Sequence, residues 1–139
     1  MKKAKIEQVR PAGENHQVVT VTGGSGLYRR TPCETCPWRK DATGEFPAEA
    51  FKHSAPTAYD MADHVFACHS SGSERPAICA GFILNGSGHN LSVRMKLAGK
   101  KINLHEVSDG GNGLYESYRA MAVGNGVDPE DPVLKPCRD

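Results

Sequence analysis

Three things are scarce in this chain, and each scarcity removes a class of explanation. Aromatic residues make up only 6% and apolar residues 38% of its 139 residues, below the roughly 45–50% apolar usage of ordinary globular domains, an average that also counts glycine. The core is therefore thin, and something besides apolar burial must help hold it. No run approaches the roughly 18 apolar residues of a membrane span, and the opening Met1-Lys2-Lys3-Ala4-Lys5-Ile6-Glu7 lacks the apolar stretch of a secretory signal. A cytoplasmic location with no membrane contact follows. An excess of one charge is missing too: 17 Lys and Arg against 16 Asp and Glu leave a formal net charge of +1. There is no long-range field to draw in nucleic acid or anionic lipid, so any nucleic-acid contact would be local.

What the chain has in quantity is backbone punctuation. Its 15 Gly and 9 Pro interrupt regular elements repeatedly and give the unfolded chain more entropy to lose. The length suits one domain. Residues 1–30 read as an N-terminal arm in which Val18-Val19-Thr20-Val21-Thr22 has the β-branched character of a short strand, broken by Gly23-Gly24-Ser25-Gly26. Residues 31–139 read as a single metal-binding domain. Within it, Pro47-Ala48-Glu49-Ala50-Phe51-Lys52-His53 suggests a short helix opened by its proline. A second follows Pro56 through Met61 and Ala62, and the apolar Val65-Phe66-Ala67 leads as a brief strand or helical turn into Cys68. Helical spacing then links Leu91, Met95 and Ala98 ahead of Gly99, and again Leu114, Tyr118, Met121 and Ala122 ahead of Gly124 and Gly126. The expected fold is a small, irregular, metal-stabilised α+β domain with short helices and few strands; a mainly α domain is the alternative.

Five cysteines in a reducing compartment argue against a disulfide framework, and the odd count argues the same way. Metal binding is the leading use for them. In Cys33-Glu34-Thr35-Cys36 two intervening residues let a tight turn aim both sulfurs at one point about 2.3 Å from a zinc ion, and Pro32 and Pro37 stiffen that turn. Cys68 and Cys79 supply a second pair, separated by a long loop unlike the second knuckle of a standard zinc ribbon. Four thiolates close a tetrahedral Zn2+ site with no open position, which makes it structural. Such a site contributes on the order of 10–16 kcal/mol in small peptides, comparable with the whole stability of a domain. The same four sulfurs would suit a [4Fe-4S] cluster, and His69 stands as an alternative ligand to its neighbour Cys68 because imidazole is an equally good donor. Cys137 is a fifth thiol that could reach the site. The competing explanation is that the cysteines are small apolar core residues.

Other signals carry less. Trp38-Arg39-Lys40 has the aromatic-beside-cation pattern that stacks a base and neutralises a phosphate, against the plainer reading in which Trp38 closes the core and Arg39 pairs with Asp41 or Glu45. The glycine-rich Asp109-Gly110-Gly111-Asn112-Gly113 lacks the Lys-Ser/Thr ending of a phosphate-binding loop and reads as a turn. His89-Asn90 could line a polar pocket with His89 as acid or base, or cap the following helix. Ser70 and Ser71 beside His69 make no triad, since nucleophile and base must converge from different elements with an orienting carboxylate.

Pro32-Cys33-Glu34-Thr35-Cys36-Pro37-Trp38-Arg39-Lys40-Asp41, Phe66-Ala67-Cys68-His69, Cys79-Ala80-Gly81-Phe82 and His89-Asn90-Leu91, with the stretch from Leu114 to Val127, resemble a family of uncharacterised small Cys-rich proteins from bacteria and their phages. The resemblance covers residues 32–138 and implies Cys33, Cys36, Cys68 and Cys79 as shared ligands and a phage or mobile-element setting, in the host cytoplasm where phage-encoded. It transfers no reaction. The expected function is a small zinc-binding accessory module for a protein or nucleic-acid partner, a counter-defence factor in the phage case, with no catalytic residue. The alternatives are a metal-dependent hydrolase or nuclease and an iron–sulfur redox sensor.

Overall fold

The computed structural model describes residues 5–11, 17–22, 27–68 and 77–137, with side chains from residue 27 onward. The N-terminal region forms an antiparallel hairpin of β1 (Lys5–Pro11) and β2 (Gln17–Thr22). The strand expected at Val18–Thr22 is present; its partner β1 was not legible. The reason lies in the register, which pairs Ile6 with Val21 and Val9 with Val19 across an irregularity between Ile6 and Gln8. An extra residue in one strand breaks the period of two by which a strand is read.

Beyond the hairpin, regular structure is helical, so the mainly α alternative describes the described residues better than a mixed fold. The helices among the described residues are α1 (Ala48–Ser54), α2 (Ala80–Asn85), α3 (Leu91–Ala98) and α4 (Tyr118–Gly124), accompanied by 3-10 turns such as Ala55–Ala58 after α1 and Pro132–Leu134 after α4. None is long and apolar enough to cross a membrane among the described residues. Helices this short are marginal alone, so caps and packing decide them. Asn90 caps α3 by accepting from the Val93 N–H at 3.0 Å, and Ser117 caps α4 by accepting from the Ala120 N–H at 3.1 Å. Pro47 sits just ahead of α1 as its N-cap.

Three expectations need correction. The helix after Pro56 is only the Ala55–Ala58 turn, because Tyr59 turns extended and its hydroxyl donates to the Val133 carbonyl at 2.5 Å. In α3 the residue facing the core is Val93, whereas Met95 is 65% exposed; the Leu91, Met95, Ala98 spacing named the wrong stripe. α2 was missed, since Gly81 inside it lowers helix propensity.

The centre of the molecule explains why that glycine is there. Trp38 is fully buried and its ring lies 6.1 Å from Phe66, 6.4 Å from Phe82 and 6.0 Å from Tyr118. α2 runs directly across it. A Cβ on Gly81 would stand 2.5 Å from Trp38 Cβ, and one on Gly86 would stand 2.4 Å from Trp38 Cη2. Among the described residues the buried indole Nε1 has no hydrogen-bond partner. Trp38 is therefore a core residue, and the base-stacking reading is excluded by its burial. Around this hub the chain is tied by single-residue ladders. Ile78 pairs with Tyr28 on one side and Ala67 on the other, and Arg39 pairs with Leu114.

Candidate metal centre

The Cys33–Cys36 segment is folded by two successive turns, with the Cys36 N–H donating to the Cys33 carbonyl at 3.2 Å and the Arg39 N–H to the Cys36 carbonyl at 3.0 Å. The second pair comes from the Ala67 to Ile78 ladder. There the Cys68 N–H donates to the Ala77 carbonyl at 2.7 Å and the Cys79 N–H to the Phe66 carbonyl at 2.9 Å. Because successive side chains alternate across a ladder, Cys68 and Cys79, each one residue beyond the bridged pair, share a face. All four cysteines are buried, Cys36 and Cys79 almost completely at 1% and 2% exposure, and no disulfide joins them.

Two of the four meet. Cys36 Sγ and Cys79 Sγ are 3.4 Å apart. This contact lowers the Cys36 thiol to about 7, against the opposing effect of burial; the backbone N–H groups of Trp38 and Arg39 and the Arg39 charge lower it further. Cys79 loses the competition: its contact with Cys36, followed by burial, pushes its thiol well up, while the N–H groups of Phe82 and Gly81 act the other way. Cys79 is itself the N-cap residue of α2, without a cap hydrogen bond of ordinary geometry. Its sulfur occupies the place where a serine or aspartate oxygen would face the first helical amides. Two backbone N–H groups thus act on each sulfur, and such groups favour an anion.

Arg39 adds a fixed cation. Its guanidinium holds Asp41 through Nε at 2.8 Å and Nη2 at 2.5 Å, and Nη1 donates to the Cys33 carbonyl at 3.3 Å. The Asp41 pairing expected from sequence is present. The reach back to the cysteine turn is what sequence reasoning missed, for nothing in the spacing tells which way the fork points.

Cys33 and Cys68 lie in the same buried cluster as Cys36 and Cys79, yet among the described residues no group of three or more His, Cys, Asp or Glu is close enough together to hold an ion. His69 lies outside the described residues. Cys137 lies in the same buried cluster; burial raises the Tyr59 and Tyr118 hydroxyls most, Cys137 adds to this electrostatically, and Arg119 Nη2 donates to its carbonyl. Asn90, read as pocket lining or cap, is the cap. Burial alone would suit cysteines acting as small apolar residues; the amides, Arg39 and the Cys79 contact favour a thiolate at Cys36.

No curated protein and no solved structure matches the chain. A family model does, over residues 28–138, and the chain belongs to that family, the family of unknown function DUF6283.

Proposed function

We propose that Cys33, Cys36, Cys68 and Cys79 hold one Zn2+ and that the domain it pins is a non-enzymatic accessory module for a protein or nucleic-acid partner, a counter-defence factor where a phage encodes it. The observation that carries this reading is the Cys36 and Cys79 sulfur pair at 3.4 Å, with two backbone N–H groups acting on each sulfur. Sulfurs bound at about 2.3 Å to a tetrahedral ion stand about 3.8 Å apart, so this pair needs to open by only a few tenths of an ångström. The residues suit the group: the amides and Arg39 offset thiolate charge, and a ladder face shared by Cys68 and Cys79 supports Cys68 as a further ligand. Binding the ion brings Cys33 and Cys68 into the same sphere. A sphere closed by four thiolates leaves no position for substrate, which favours a structural role over hydrolysis.

Elemental analysis of protein purified without added metal tests this directly. One zinc per chain is expected, lost in Cys36→Ser and Cys79→Ser, together with loss of partner capture from host lysate. Iron with a brown colour and broad visible absorbance would replace zinc by a cluster. No metal in the wild type, or metal retained in both variants, would overturn the proposal.

A further inference from the structure

A second polar feature lies outside the sulfur cluster, in a cavity of about 210 Å3 lined by Asp60, Met61, His89 and Arg94. Its wall is rigid. Residues 61–62 and 89–91 are laced by two backbone hydrogen bonds, from the Met61 N–H to the His89 carbonyl at 2.9 Å and from the Leu91 N–H to the Ala62 carbonyl at 2.8 Å. Between them Asn90, fully buried, is held by the Thr57 carbonyl at 3.0 Å and the His64 carbonyl at 2.8 Å. His89 is therefore presented on a braced segment, with Nδ1 3.7 Å from Asp60 Oδ1. Arg94, in α3, is exposed and makes no ion pair among the described residues.

The backbone gives an independent pointer. Met61 and Lys100 have positive φ, both 60°. Lys100 follows the end of α3, where the Lys101 N–H reaches back to the Lys96 carbonyl at 2.8 Å, and left-handed residues commonly end helices in this way. Met61 has no helix to end. It sits in the Tyr59 to Ala62 turn, at a position whose positive φ ordinarily calls for glycine, and its side chain is 63% exposed at the cavity. A strained, exposed side chain at the rim of a polar cavity is a mark of a binding site.

We propose that this cavity binds a small phosphate monoester that also carries a hydroxyl, the chemistry of a sugar phosphate. Arg94 supplies the planar fork that holds phosphate oxygens. Asp60 accepts from the hydroxyl, and His89 donates or accepts between them. The volume is below the roughly 300–1,000 Å3 of pockets for drug-sized ligands, which suits a ligand of this size, with the exposed Met61 at its rim.

Titration of the isotope-labelled full chain with ribose 5-phosphate, ribose and inorganic phosphate, followed by NMR at the His89 ring and Arg94 side chain, tests the assignment. Saturable shifts with ribose 5-phosphate are expected. Arg94→Gln, an exposed change that leaves the core intact, should weaken binding about tenfold or more, as the loss of a charge-assisted hydrogen bond does. Asp60→Asn should weaken ribose 5-phosphate more than inorganic phosphate, and Met61→Gly should weaken it severalfold. No saturable shift, or equal affinity in Arg94→Gln, would overturn the proposal.

Discussion

The region around Trp38 and the region from α3 to α4 meet the same difficulty, short helices that cannot stand alone, by different means. α3 and α4 are capped by oxygen side chains of their own, Asn90 and Ser117. α2 has no such oxygen; its N-cap is Cys79, whose sulfur also touches Cys36 across the core. The starts of α3 and α4 are set by local caps, to which Asn90 adds bonds to the distant Thr57 and His64 carbonyls; the start of α2 depends on a contact between segments far apart in sequence. In a chain poor in aromatics, the second arrangement concentrates Trp38, Phe66, Phe82 and Tyr118 at one point and leaves little redundancy there.

Removal of the proposed Zn2+ should break the contrast most visibly. On chelation, amide exchange is expected to accelerate first at residues 33–39 and 78–86, with α3 protected longer; simultaneous loss everywhere would show one cooperative unit and no contrast. Trp38→Ala should cost about 3–5 kcal/mol in urea unfolding, the range for large buried aromatics. Trp38→Phe should cost less, because it also removes the unpartnered Nε1 donor. Gly81→Ala is sharper still: helix propensity alone predicts a gain of about 1 kcal/mol, yet the Cβ would stand 2.5 Å from Trp38 Cβ, so a loss of about 1–3 kcal/mol is expected. Gly88→Ala, with nothing near its Cβ, is the control.

Smaller effects belong to the locally stabilised region. Ser117→Ala should cost about 1 kcal/mol as an N-cap loss, and Asn90→Ala more, because the Thr57 and His64 carbonyls lose their donor as well. The smallest is electrostatic. The Val133 N–H, and then Lys52, hold the Asp131 carboxyl below its ordinary value. A carboxyl lowered on folding contributes stability fully above its unfolded value, near 3.9, and loses it as pH falls through the lowered folded value. The urea midpoint of Asp131→Asn should therefore lie slightly below wild type near neutrality and converge with it in acid.

How much was legible in the sequence follows from the same division. α1, α3 and α4 were readable within a few residues, since Pro47, Asn90, the apolar spacing and the closing glycines act through nearest neighbours; the Ser117 cap of α4 was not named. The buried stripe of α3 was misread because Val93 is chosen by what lies across from it. β1 was hidden by its irregular register, and α2 by a glycine whose reason is Trp38. The four cysteines were nameable from spacing and resemblance; that Cys36 meets Cys79 was not, because Cys33-x2-Cys36 constrains only its own turn. His89 was nameable as a pocket residue; that Asp60, Met61 and Arg94 join it was not, since they come from separate segments laced by backbone bonds.

The order of amino acids by itself determined α1, α3 and α4, the Asn90 cap, the paired cysteines, the thin core and the near-neutral charge, all consequences of composition and of interactions within a few residues. Tertiary structure alone decided which sulfurs touch, that Trp38 is the hub and not a surface platform, and where Arg39 reaches. Those are matters of distance between segments, and distance in space is set only when the whole chain has closed upon itself.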